Sequence, residues 1–285
     1  MTIGKMTRGA IAGFAALGAV ATATTAAADN EANDLMNATL WTQTSVEFKA
    51  SSMAAFKLAE VMLDRALADT DWTAALEQGD NYQGKPPAVI LDVDETVLDN
   101  SEYEAWLIKA KSHYSSKTWL PYINDAISNP IPGSKEFINY AKSKGVEIFY
   151  LSNRKAPGEE GTRKNLKKFG YPINEKFDTV LLRGEREEWG SAKGTRRAHV
   201  AKDFRVVMLL GDNMGDFVDA RKANLAERQE ILEKYKDNWS SKWIMIANPM
   251  YGSWEGASFD YKWRSSDEEK RQMKMDAMRY WKPKM

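Results

Sequence analysis

The chain has 285 residues, 43 % of them hydrophobic, with forty basic residues against forty acidic ones. That length and apolar content suit one large α/β domain or two modest ones and argue against disorder away from the ends. A balanced charge excludes a global field toward a nucleic-acid polymer or an anionic membrane, and the lack of any cysteine excludes disulfide staples and a lipid-anchored cysteine.

In chain order, residues 1–28 come first. Lys5 and Arg8 precede the uncharged run "GAIAGFAALGAVATATTAAA", and "AAADN" supplies small residues for cleavage after Ala28. This pattern predicts a cleavable export signal; Gly, Ala and Thr stand where a membrane helix needs Leu and Ile. Residues 34–69 carry apolar residues at helical spacing without proline and predict one long helix or two joined ones. A Gly/Asn/Pro loop (78–87) follows.

Five short apolar runs then read as buried strands: "AVILDV" (88–93), "VEIFYLS" (146–152), "DTVLLR" (178–183), "VVMLLGD" (206–212) and "WIMIAN" (243–248). Stretches 134–145, 158–170, 194–204 and 214–238 read as helices between or beside them. Such alternation predicts a parallel sheet covered on both faces, with ligands beyond the carboxyl ends of the strands. The chemically loaded segments, "DVDET", "LSNR" and "GDNMGD", all fall at that edge. The insert 100–133 and the tail from 249, with a helix expected over 266–281, lie outside the alternation and with the N-terminal helix predict a smaller helical cap.

Asp92 and Asp94 leave the first strand two residues apart, so their side chains point the same way about 6 to 7 Å apart along the chain. One could attack while the other handles protons; the competing reading is an acidic ion loop, but such loops follow a helix and carry a central glycine. Asp212 and Asp216 bring two more carboxylates to a neighbouring strand end, a hard-oxygen set suited to Mg²⁺. Ser152 could donate a hydrogen bond to a phosphoryl oxygen or simply cap its strand. Lys193 could neutralise phosphate, and the sequence does not choose between it, Arg196 and Arg197.

Taken together, "ILDVDETVLDNSEYE", "LSNR", "KGTRR", "GDNMGDF" and "NPMYGSWEG" resemble the bacterial class C acid phosphatases, the DDDD group of the haloacid dehalogenase superfamily that includes lipoprotein 5′-nucleotidases. The resemblance implies a Rossmann-like parallel-sheet core with a helical cap: 85–99 and 134–248 as core, 29–84 as the N-terminal helical part of the cap, 100–133 and 249–285 as cap insert and C-terminal helical part. It implies Asp92 as nucleophile, Asp94 as general acid and base, and Ser152 and Lys193 as phosphate binders. Mg²⁺ would be held by Asp92, the backbone carbonyl of Asp94, Asp212 and Asp216. Tyr114 and Tyr251, with Trp254 nearby, match positions that clamp a base, although aromatics are more commonly packing. The expected activity is exported hydrolysis of phosphate monoesters, nucleoside 5′-monophosphates above all, through an aspartyl-phosphate; a phosphotransferase or a non-catalytic binding relative on the same core are the alternatives. The expected partner is that small ester, with no stable membrane anchor, and a homo-oligomer is left open. Glu102 stands where proline is common in the family.

Overall fold

A computed structural model describes residues 34–283, so the expected export signal over 1–28 lies outside the described residues. Helix α1 (Met36–Thr44) stops at Ser45, whose extended backbone breaks the helix and whose Oγ accepts from the Phe48 N–H at 3.0 Å to start α2 (Val46–Ala68). Two helices, not one, therefore fill 34–69.

Five strands form one parallel sheet: β1 (Pro87–Leu91), then, past a two-stranded ribbon, β4 (Glu147–Lys155), β5 (Val180–Arg183), β6 (Arg205–Gly211) and β7 (Trp243–Met245), in the order β5-β4-β1-β6-β7. The ribbon pairs β2 (Leu98–Asp99) with β3 (Asn129–Pro130) and closes off the insert that holds α3 (Ser101–Ala110) and α4 (Ser116–Asp125). Helices α5 (Ser134–Ser143), α6 (Glu159–Lys168) and α7 (Gly194–Asp203) connect the strands, and α8 (Leu225–Lys234), α9 (Ser253–Ser258) and α10 (Asp267–Asp276) complete the chain.

Alternation along the strands splits the core in two. Val89 and Leu91 face one side, where Phe56, Leu63, Phe137 and Ala141 of α2 and α5 cover them. Ala88 and Ile90 face the other, against Val200 and Ala201 of α7, Phe217 and Trp243. The apolar face of α2 is thus buried in the sheet's own core, while α1 packs on α3. From β1 the chain moves to β4 and β5, then returns to the opposite flank for β6, so the crevice beyond β1 and β6 is the topological switch point where open α/β sheets bind ligands.

The expected helix over 214–238 is corrected. A single 3₁₀ turn occupies Met214–Asp216, and α8 begins only at Leu225, because Asn224 and Glu227 form a capping box there. The last helix likewise spans Asp267–Asp276 rather than 266–281. No helix among the described residues is long and apolar enough to cross a membrane.

Candidate active site

Asp92 follows β1 directly, and its N–H continues the ladder to the Leu210 carbonyl at 2.9 Å. Asp212 follows β6, the adjacent strand. Asp216 sits on the 3₁₀ turn behind it, folded back so that its Oδ2 accepts from the Asn213 N–H at 2.9 Å. Gly211 makes that fold possible: a Cβ there would collide with the Asp216 carboxyl group.

These three carboxylates converge, each offering an oxygen within 4.8 Å of the others. Lys193, at the start of α7 and buried, donates to Asp92 and reaches Asp216 Oδ1 at 2.6 Å. Asn248 Nδ2 donates to Asp212 Oδ2 at 2.8 Å. Burial pushes the Asp92 and Asp212 carboxyls above the usual carboxylate range; the Asp216 charge pushes the same way, and Lys193 pulls back. Burial also pulls the Lys193 ammonium down, but Asp216 and Asp92 outweigh it and hold its pKa above the ordinary value. Three carboxylates against one ammonium leave the hollow short of positive charge. The all-oxygen donor set fits a hard divalent cation, held by Asp92, Asp212 and Asp216.

The three cations that the sequence left equivalent are distinguished by their contacts. Arg196 donates to the backbone carbonyl of Ser152, to Gly190 O at 3.0 Å and to Asn153 Oδ1 at 2.7 Å. Arg197 is held by Glu77 at 2.6 Å and by the Asp216 carbonyl at 2.9 Å. Only Lys193 of the three presents its charge to the carboxylates.

The Asp94 carboxyl group lies outside the trio. Arg154 Nε donates to its Oδ1 at 2.8 Å, Asn100 Nδ2 donates to the same oxygen at 2.9 Å, and the Ser152 hydroxyl donates to Oδ2 at 3.2 Å. Arg154 is itself fixed: Nη1 donates to Thr162 Oγ1 at 3.1 Å, Nη2 to Asn100 Oδ1 at 3.2 Å, and its guanidinium lies 5.6 Å from the Trp119 ring of the insert. Neither Arg154 nor Asn100 was singled out from the sequence. The available signal was period two: Ser152 and Arg154, two apart on β4, share a face.

Glu95 also went unnoticed. It is buried at φ 59°, accepts from the Asn100 N–H at 2.7 Å, and accepts the Tyr251 hydroxyl. Burial, then the Asp94 and Asp212 charges, holds its carboxyl well above the normal range. Tyr251 is therefore tied through its hydroxyl to the loop that follows β1. Tyr114 is 60 % exposed and belongs to the aromatic group of the insert, 6.1 Å from Trp119 and 6.5 Å from Tyr103. Trp254, on α9, is 41 % exposed. Among the described residues, no ring contact joins Tyr114 to Tyr251 or Trp254.

A sequence model of the family described as HAD superfamily, subfamily IIIB (Acid phosphatase) matches residues 11–254. The solved class C acid phosphatase of Bacillus anthracis is 35% identical, with a TM-score of 0.76, over 87% of this chain and 98% of that one. The crystal structure of the Bacillus anthracis enzyme with tungstate bound matches at the same values, 35% identity and TM-score 0.76.

Proposed function

The chain belongs to subfamily IIIB of the HAD superfamily, the acid phosphatases, and is a phosphoric monoester hydrolase; from that premise we propose an exported, Mg²⁺-dependent enzyme that hydrolyses nucleoside 5′-monophosphates through an aspartyl-phosphate on Asp92. The observation that carries the reading is the convergence of Asp92, Asp212 and Asp216 around a space that Lys193 alone does not neutralise. Tungstate, bound by the Bacillus anthracis relative, is a tetrahedral oxyanion like phosphate, which supports an oxyanion site here.

Asp92 attacks phosphorus in line with the leaving oxygen. Lys193, placed beside the attacking carboxylate, offsets charge on the equatorial oxygens as it develops. Asp92, Asp212 and Asp216, with the Asp94 backbone carbonyl, would hold Mg²⁺, which would supply further positive charge to those oxygens. The Asp94 side chain, outside the carboxylate trio and fixed by Arg154, Asn100 and Ser152, gives a proton to the leaving alkoxide and takes one back from the hydrolytic water. The Ser152 hydroxyl, now donating to Asp94, can rotate to a phosphoryl oxygen. The helical insert with α3 and α4 serves as the cap. Tyr114 and Tyr251, without mutual ring contact, hold the base between them, with Trp254 beside it.

Hydrolysis of p-nitrophenyl phosphate by wild type and Asp92→Asn, each with and without EDTA, tests the core of this reading. Turnover should fall by at least about 10³-fold in the variant and on chelation of the wild type. Undiminished turnover by Asp92→Asn would sink the nucleophile, and indifference to EDTA would sink the metal. For the nucleotide, Tyr251→Ala should lower kcat/KM on AMP about tenfold more than on glycerol phosphate; an unchanged ratio removes the clamp.

A further inference from the structure

We infer that Lys155 and Arg183 form a second anion subsite at the mouth of the active site, which takes a second phosphate carried by the leaving group of the substrate. The inference rests on the phosphatase reading above and extends it to bisphosphorylated esters.

The observation is a contrast between the two ends of one strand pair. β4 and β5 run in parallel, and at their amino ends the charges are paired: Glu147 with Lys142 at 3.4 Å, Asp178 with Arg163. At their carboxyl ends Lys155 and Arg183 are register partners, both exposed. Like charges side by side on neighbouring strands repel. Among the described residues neither has a carboxylate within ion-pair distance. In a chain with equal numbers of acidic and basic residues, two adjacent cations without a counter-ion at the functional edge of the sheet are a disposition that an anion would complete.

Their aim is equally specific. Lys155 Nζ donates to Ser116 Oγ at 3.0 Å, so its ammonium is turned to the loop that carries Tyr114. Arg183, the register partner of Lys155, stands beside it at the carboxyl edge of the same sheet, the edge from which Asp94 leaves β1. A leaving group whose bridging oxygen meets Asp94 and whose body lies along Tyr114 therefore presents its far end to the two cations. An arginine fork matches two phosphate oxygens and a lysine adds a compact charge, so phosphate is the anion this pair suits best.

Two substrate pairs test this: AMP against adenosine 3′,5′-bisphosphate, and fructose 6-phosphate against fructose 1,6-bisphosphate, each on wild type, Arg183→Gln, Lys155→Gln and Arg183→Glu. Wild type should prefer the bisphosphate by about tenfold in kcat/KM at low salt, mostly through KM. Each glutamine variant should lower that preference about threefold or more, Arg183→Glu should abolish it, and rates on the monophosphates should stay within about twofold. Salt near 0.5 M should erode the wild-type preference, since both cations are exposed. Equal ratios in wild type and Arg183→Gln across both pairs overturn the subsite. Loss of turnover on both nucleotides, with an Arg183-dependent ratio kept on the sugar pair, would instead remove the nucleoside reading and leave the subsite standing.

Discussion

Arg154 is buried with every nitrogen committed, and two of the three reach Asp94 Oδ1 at 2.8 Å. The proposed acid and base role of Asp94 needs a carboxyl group of fixed direction, and Arg154, Asn100 and Ser152 supply it from three sides. Lysine at 154 keeps the charge and loses the fork, so Arg154→Lys should leave the protein folded with Asp94 displaced. The loss should depend on the leaving group: about 10²-fold in kcat on an alkyl phosphate, whose alkoxide needs the proton, and within about threefold on p-nitrophenyl phosphate, whose phenolate does not. Equal losses on both esters would mean that Arg154 acts on the fold or the phosphoryl group instead. At this scale the sequence was legible where chemistry follows the chain. Asp92 and Asp212 stand directly behind adjacent apolar strands, so their sharing one edge of the sheet could be read, whereas Asp94, read as a neighbour of Asp92, turns its carboxyl group away from that pair. Arg154, Asn100 and Glu95 are placed largely by partners that the fold brings from distant segments, such as Tyr251, 156 positions away from Glu95.

Between elements, the insert is fastened to the core by close packing of α4 on α6. Gly161 is buried on α6, and a Cβ there would stand 2.6 Å from the Ile123 carbonyl oxygen and 2.9 Å from the Asn124 Cα. Both are backbone atoms that cannot turn aside, so Gly161→Ala must push α4 outward. Overpacking of this kind costs about 1–3 kcal/mol, or several degrees in Tm for a chain of this size. Because α4 carries Trp119 over Arg154 and ends the loop of Tyr114, KM for a nucleotide should rise along with the loss of stability. An unchanged Tm would show that the two helices are not in fixed contact in solution. The helices that sequence periodicity located well, α5, α6 and α7, are those that connect one strand of the sheet to the next. The stretch 214–238 was not legible as it folds, because side-chain capping at Asn213 and Asn224 overrides periodicity and starts separate helical segments. The assignment of α2 was similarly hard: an amphipathic helix shows that it buries one face, not which surface covers it, and here Phe56 and Leu63 cover the sheet.

Across the whole molecule, buried carboxyl groups set how stability answers to pH. Glu104 on α3 is buried, and that burial, aided by the Glu255 charge on α9, pushes its carboxyl up to about 7. Glu255 is itself paired with Lys274 of α10 at 2.6 Å, so no free cation of that pair is left for Glu104. A carboxyl raised above its unfolded value holds more protons folded than unfolded, so stability is greatest below the ordinary range and falls as pH rises through about 4.5 to 7. The full effect is roughly 3 kcal/mol if the whole shift is realised. Glu104→Gln stays neutral at every pH: its Tm should match wild type near pH 5, exceed it near pH 8, and follow a flatter course between. Added Mg²⁺ acts on a different group of charges. It should raise the wild-type Tm more at pH 8 than at pH 5, where protons compete for the carboxylates, and Asp212→Asn should blunt that rise while leaving the Glu104 effect intact. A grid of melting curves over pH, with and without Mg²⁺, for wild type and the two variants separates the contributions. If Glu104→Gln melts in parallel with wild type at all pH values, the buried carboxyl of α3 is not the source of the pH dependence; if Asp212→Asn responds to Mg²⁺ as wild type does, the cation binds elsewhere than the hollow beyond β1 and β6.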